Sequence, residues 1–212
     1  MMKKFITYVA QQPENMLRKG IYSSESNELL NFEKEASFPV IPMINGYASG
    51  GDTIEIIAML EENNANGIRN LEVLKTELEE LGKSKGFGYE IRVINVSGKE
   101  VAKEHLRTFE SLLNAVDEND ELFVCATYGT KPVPIIEMMA VNAAYKIKKG
   151  VTVKCVAYGG VTRDEKGAVT GMSIYDITPL FFMTRLVDTL AAHPLEDPEA
   201  VIKRVLEDEE DE

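Results

Sequence analysis

The stretch that most constrains the fold runs from residue 122 to residue 148. Leu122-Phe123-Val124-Cys125-Ala126 is a short continuous apolar run, Thr127-Tyr128-Gly129-Thr130-Lys131-Pro132 follows it, and 133–148 is apolar at most positions. This pattern reads as a buried strand, a turn at a glycine and then a helix. A helix N-terminus carries unpaired backbone N–H groups and about half a positive charge, which suits an anion. Pro132 fits the first helical turn, where its missing N–H costs nothing. Gly129 allows close approach to the backbone. Lys131 supplies a point charge suited to phosphate, and Thr130 a hydroxyl. The stretch is therefore a candidate phosphate-binding corner, with an ordinary strand–helix turn and a surface lysine as the alternative. The helix itself carries Ile135, Ile136, Met138, Met139, Val141, Ala143, Ala144 and Ile147. Apolar on more than one side, it predicts cover by the fold or by a partner subunit.

The rest of the chain repeats this alternation. Residues 3–10 are β-rich and predict a central strand, followed by a polar loop with Gln11 and Gln12. In a parallel α/β sheet, ligands bind beyond the carboxyl ends of the strands. Gln11 and Gln12 therefore share an edge with Thr130 and Lys131 if the two strands are neighbours; a simple polar turn is the alternative. Residues 17–38 predict a β-hairpin excursion or a long loop. Residues 39–44 predict a short helix that gives way to a glycine-rich turn holding Asn45, Tyr47, Ser49 and Gly50. That turn lacks the GxxxxGK[ST] spacing, so it is open to a phosphate grip or a plain connection. A strand is expected over 53–60, and then a helix with Ile68, Leu71, Leu74, Leu78 and Leu81 on its apolar side. A strand over 89–96 precedes a helix over 100–116, with Ala102, Leu106, Phe109, Leu113 and Val116 on one face. After the 133–148 helix comes a strand over 151–158 that ends in Gly159 and Gly160. A hairpin tip at 163–167 and a last core helix over 180–192 follow. Beyond Pro194, Asp197 would cap a small amphipathic helix that starts at Pro198 and has a stripe of Val201, Ile202, Val205 and Leu206. The expected class is α/β: a Rossmann-like, mostly parallel central sheet with helices on both faces, a β-hairpin and a short C-terminal helix. One domain is expected over 1–193, with a helix and acidic tail over 194–212.

Composition narrows the function. The 212 residues, 44% of them hydrophobic, suffice for one good core. Formal charge is −12, the last six residues are all acidic, and the rest of the chain remains acidic. Extended tracking of DNA or RNA is thus not expected, whereas a small anion held by a few focused groups is compatible. No apolar run approaches the roughly 20 residues that span a bilayer. The first residues read as a strand and not as a leader. No membrane association and a cytoplasmic location are therefore expected. Cys125 and Cys155 lie in apolar strand patterns with no CxxC or metal spacing, and predict buried free thiols in a reducing compartment. No metal or other cofactor is expected, and no GxGxxG follows the first strand. His105 falls within a helix and His193 precedes Pro194 at a helix end, so both read as structural or exposed.

The run Phe123-Val124-Cys125-Ala126-Thr127-Tyr128-Gly129-Thr130-Lys131-Pro132-Val133-Pro134 resembles the signature of CARF proteins, the CRISPR-associated Rossmann-fold sensors of type III systems. Ile6-Thr7-Tyr8-Val9-Ala10, Phe38-Pro39-Val40-Ile41-Pro42, Gly50-Gly51-Asp52 and Ile174-Tyr175-Asp176-Ile177-Thr178-Pro179-Leu180-Phe181 agree with it, and the likeness covers residues 3–192. The resemblance implies a homodimer that binds a cyclic oligoadenylate, tetra- or hexa-adenylate, across its two-fold axis. Tyr8, Gln11 and Gln12 and the block from Tyr128 through Gly129 and Thr130 to Lys131 would then face the ring. Thr127 and Pro132, Asn45, Tyr47, Ser49 and Gly50, and Gly159 and Gly160, complete the candidate ligand-binding set. An acid is expected in this family where Cys125 stands, and the effector domain that such proteins commonly carry has no room here. No Arg-x4–6-His motif and no helix-turn-helix is recognisable.

Two functions follow from the resemblance. The first is a stand-alone, metal-independent ring nuclease that switches off antiviral signalling, with Lys131 on the phosphate oxygens and Thr130, Gln11 or Gln12 orienting the ribose 2′-OH. The second is a non-catalytic sensor that signals to a protein partner through residues 197–212. An unrelated nucleotide-binding Rossmann enzyme is a third, more distant reading.

Overall fold

The computed structural model describes residues 1–166, 169–193 and 196–210. Gly167, Pro194 and the last two residues of the acidic run, which figure in the expectations above, lie outside the described residues.

Strand β1 (Lys3–Tyr8) opens the chain. A short 3-10 turn at Glu14–Met16 leads to β2 (Gly20–Ser23), and a second at Glu28–Leu30 leads to β3 (Phe32–Ala36). The irregular region over 17–38 is thus a hairpin excursion, with β2 and β3 antiparallel. Then come α1 (Val40–Tyr47), β4 (Thr53–Glu61), α2 (Ala65–Lys85), β5 (Gly88–Val96), α3 (Ala102–Asn114), β6 (Glu121–Cys125) and α4 (Pro132–Ile147). Strands β7 (Thr152–Arg163) and β8 (Val169–Asp176) form a second antiparallel pair, and α5 (Thr178–Ala192) and α6 (Pro198–Glu210) close the chain.

All eight strands join one sheet in the order β3-β2-β8-β7-β6-β1-β4-β5. From β7 to β5 every pairing is parallel. Strand β1 lies between β4 and β6, with Thr7 opposite both Ala58 and Cys125. Parallel strands covered on both faces are near-continuous apolar runs, and β1 and β4 are buried along almost their whole length. One face of the sheet meets α1 and α2, and the other meets α3 and α4. Each fully buried Phe, Ile or Leu contributes about 1.5–3 kcal/mol to this core.

The helices start and stop for local reasons. Asn64 caps α2 by accepting the Gly67 N–H at 2.9 Å, and Gly86, at φ +78°, ends it. Leu71, Leu74, Leu78 and Leu81 are buried as expected, but Ile68 is 52% exposed. At 100° per residue, Gly67 and Asn70 continue the leucine stripe towards the N-terminus and Ile68 points away from it. Helix α3 is also rotated from its expected phase: its buried line is Thr108 and Leu112, and Leu106 is 66% exposed. Helix α4 buries Val133, Ile136, Ala140, Val141 and Ala144, together with Glu137, but leaves Ile135, Met139 and Ile147 open. The fold covers only one side of it.

At the amino edge of the sheet, Lys4 is 2% exposed and its Nζ lies 2.8 Å from Asp117, 3.0 Å from Asp120 and 3.1 Å from Glu55. It also donates to the Ala115 carbonyl at 2.7 Å. Burial works against the charge on Lys4, but the three carboxylates outweigh it and hold its pKa above the usual lysine value.

The chain divides into two compact units, 1–176 and 177–212. Helix α5, expected as the last core helix of a domain ending at 193, groups with α6 in the second unit. There Leu180, Phe182 and Val187 of α5 remain substantially exposed. Asp197 accepts the Ala200 N–H at 2.9 Å and caps α6 as expected. No helix among the described residues is long and apolar enough to cross a membrane.

Candidate ligand-binding cleft

The carboxyl ends of β1, β6 and β7 lie side by side, and each gives way to a segment of different character. After β6, the Ala126 amide still reaches Ala157 of β7 at 2.9 Å. Thr127 Oγ1 then accepts the Gly159 N–H at 2.8 Å and contacts Cys125 Sγ at 3.3 Å. This hydroxyl ties the turn to β7. A Cβ at Gly159 would stand 2.2 Å from Pro39 Cγ, so that glycine is required by the close approach of α1. Gly129 has φ +104°, where L side chains are strained, and a Cβ there would meet Val133 at 2.8 Å.

Pro132 opens α4 as the sequence predicts. The anion-binding donors are nevertheless not those of the helix. Pro132 and Pro134 have no N–H, and the Val133 N–H is taken by the Thr130 carbonyl at 2.9 Å. The free donors belong to the preceding turn: among the described residues no hydrogen bond occupies the amides of Tyr128, Gly129, Thr130 or Lys131. Successive unpaired amides in such a turn form a concave anion site.

The loop after β1 is held just as firmly. The Gln12 carbonyl accepts from Arg69 and Asn70 of α2, each at 3.0 Å, and Asn70 also donates to the Ala10 carbonyl at 2.7 Å. Gln11 Nε2 lies 2.6 Å from Tyr8 Oη and 2.5 Å from Glu61 Oε2. Tyr8 itself is buried, and burial together with the charge of Glu61 raises its pKa. It therefore supports Gln11 from below and does not line the cleft.

The two segments enclose a cavity of about 350 Å3 lined by Gln11, Gln12, Thr127, Tyr128, Gly129 and Thr130. Gln12, Thr127 and Tyr128 also wall a second cavity of about 410 Å3 that extends along β7 past Gly159 and Gly160. Asn15, Arg18, Tyr158 and Arg163 border this larger space. Tyr128 stands between the two. Its Oη donates to the Ser37 carbonyl at 3.2 Å, its ring meets Phe38 edge-on at 6.0 Å, and burial raises its pKa.

The structure thus brings together Gln11, Gln12, Thr127, Tyr128, Gly129, Thr130, Gly159 and Gly160. Lys131 is exposed, has no partner among the described residues and lines neither cavity. Asn45, Tyr47, Ser49 and Gly50 are not brought to this edge. Helix α1 crosses the sheet, so the glycine-rich turn arrives at the opposite, amino edge. There Lys3 Nζ donates to the Tyr47 carbonyl at 2.9 Å and to Asp52 at 2.7 Å, and Asp52 in turn accepts the Ser49 N–H. That turn is a structural connection. Asn15, Arg18, Tyr158 and Arg163 were missed by sequence reasoning. The first two lie in an irregular segment, and the last two on a strand that runs further past the sheet edge than its apolar core suggests.

Both histidines have local partners, His105 with Glu100 at 3.3 Å and His193 with the Thr189 carbonyl at 2.8 Å. Both cysteines are buried and unbridged, and burial pushes the Cys125 thiol up to about 12. Among the described residues no three His, Cys, Asp or Glu side chains are grouped to hold a metal ion. No protein-family model matches this chain, and no curated protein matches it.

Proposed function

We propose that the protein is a CARF-type receptor that binds a cyclic oligoadenylate as a homodimer and cleaves it, switching off type III CRISPR signalling. The observation that carries this reading is the cleft where Gln11 and Gln12 face the 127–130 turn, with four unoccupied amides and the unpaired Lys131 beside them. In the dimer, two copies meeting along the exposed Ile135 and Met139 of α4 would each present a Lys131, the residue one step before that helix. In the reaction a ribose 2′-oxygen attacks the adjacent phosphorus and the P–O5′ bond breaks. The 5′-oxygen leaves with a proton, giving a linear product with a 2′,3′-cyclic phosphate. The protein's part is to hold the in-line geometry and to neutralise the phosphorane. Thr130 and Gln12 orient the 2′-OH, and Lys131 and the turn amides face the phosphate oxygens.

One observation favours the second reading, a sensor that binds without cutting. The side chains lining the smaller cavity are all uncharged, and burial keeps the Tyr128 phenol protonated. Among the described residues no general base lines this cavity in a single copy. Incubation with cyclic tetra- and hexa-adenylate in EDTA separates the two. Linear products that disappear in Lys131→Ala support cleavage, tight binding without turnover supports sensing, and no binding of either ring overturns both.

A further inference from the structure

The two borders of the sheet are built differently. Strand β3, at one border, is short, its register with β2 shifts between Ile21 and Tyr22, and it sets Glu33, Lys34 and Glu35 in a row. Shortness, irregularity and charge are the usual protections of an open strand. Strand β5, at the other border, runs for nine residues and keeps register with β4 without a break, from Gly88 opposite Thr53 to Val96 opposite Glu61. It holds no proline, and Gly88, Glu90, Arg92, Val93 and Asn95 are exposed. The Gly88 N–H reaches the Asp52 carbonyl at 2.8 Å, and the Val96 carbonyl accepts the Glu62 N–H at 2.9 Å. In a parallel pair the residues that bond the neighbour alternate along the strand, so the even-numbered residues of β5 face β4. Tyr89, Ile91 and Val93 therefore turn both backbone groups outward, and among the described residues nothing meets them.

The two charges on this strand differ in sign and flank Ile91. Glu90 has no partner among the described residues. Arg92 gives its Nε to Glu55 at 2.6 Å and makes no other ion pair among them. We propose that β5 pairs antiparallel with β5 of a second copy, about a two-fold axis at Ile91. The outward backbone groups fix the parity: Ile91 exchanges both its bonds with the second copy's Ile91, and Tyr89 with the second copy's Val93. Charge fixes the register. An axis at Glu90 or at Arg92 keeps the hydrogen bonds but sets like charges face to face, and axes further out pair fewer residues. At Ile91 each Glu90 stands opposite an Arg92, in a non-hydrogen-bonded pair, where side chains approach closest. On the other face Tyr89 meets Val93, an aromatic residue against a β-branched one. The surface is independent of the cyclic-oligoadenylate reading and of any pairing along α4. One strand edge makes a small contact of the weak class, with a Kd of about 1 mM. At the roughly 10 µM of a light-scattering run it is open.

The test is an amide 1H–15N dilution series of the full chain up to about 1 mM, where half of the chains are paired at that Kd. The Tyr89, Ile91 and Val93 amides are expected to shift with concentration, and those of Glu90, Arg92 and Ile94, already bonded to β4, to shift less. In a sample mixing labelled and unlabelled chains, the Tyr89 ring should show a contact to Val93 methyls. Within one chain these residues lie about 13 Å apart along the strand, so that contact joins two copies. Glu90→Arg replaces an exposed, partner-free side chain and so leaves the fold intact. It brings like charges together twice by symmetry and weakens the pairing more than about tenfold. Amides of β5 that do not move up to about 1 mM mean an edge left to solvent or capped by a different chain, and overturn the proposal. Shifts unchanged in Glu90→Arg, or a missing Tyr89–Val93 contact, overturn it equally.

Discussion

Two buried charges at opposite edges of the sheet behave in opposite ways. Lys4 is fully compensated, so removing it takes the cation from Asp120, which is nearly as buried as Lys4 itself, and leaves Glu55 with Arg92 alone. Lys4→Met is expected to lower stability by about 3–5 kcal/mol in urea denaturation, the range for breaking a buried pair from one side. Glu137 on α4 has no hydrogen-bond partner at either carboxyl oxygen among the described residues and is wholly buried, and that burial raises its pKa well above the ordinary carboxylate value. Between the unfolded and the folded pKa the native state binds more protons than the unfolded chain. Stability therefore falls as pH rises through that window, by up to about 1.4 kcal/mol per pH unit. Glu137→Gln removes the slope, so its melting temperature should gain on the wild type from about pH 5 upward; an offset constant with pH would show that the carboxyl ionises normally in the fold. At this scale the sequence was partly legible. Gln11, Gln12 and Thr130 could be placed because strand ends and ligand edges coincide. Glu137 could have been found, since it falls four residues after Val133 and four before Val141 on the buried line. A lone acid in an apolar helix is more readily taken for its solvated face.

Among the elements, α4 and the turn before it matter most. Gly129 at φ +104° leaves no room for a Cβ against Val133. Gly129→Ala is expected to cost about 1–3 kcal/mol of stability and to weaken ligand binding further, because the amides of 128–131 would be re-aimed; unchanged binding in a folded variant would remove the turn from the site. Strand and helix identities were readable from runs and spacing, since a buried parallel strand and a long amphipathic helix leave distinct patterns. Helix phase was less so. In α3 Leu106 faces outward, and the stripe drawn through Leu106, Phe109 and Leu113 is about one residue out of register with Thr108 and Leu112. The turn at 45–52 read as either a phosphate grip or a plain connection because glycine, serine and asparagine serve both purposes. Only the crossing of α1 decides which edge it reaches.

For the whole molecule, the open side of α4 and the unpaired Lys131 lie close together in the chain, and the two-fold reading rests on them. Light scattering is expected to give about twice the 23.6 kDa chain mass, and the double variant Ile135→Glu/Met139→Glu about half of that value with loss of ring binding. A wild-type mass of one chain would remove the shared cleft. The parallel core was legible as alternating strands and helices. The far edge was not, because β2 pairs with β8 across most of the chain, Tyr22 opposite Met172, and no local pattern announces such a partner. That pairing has a consequence during synthesis. A nascent chain on the ribosome can close β1, β4, β5 and β6 while its β2–β3 hairpin, made much earlier, still waits for a neighbour. Pulse-labelled hydrogen exchange during refolding should therefore find the amides of 20–36 protected last, and chains released before about residue 169, where β8 begins, should expose an uncovered border of β7 to other chains.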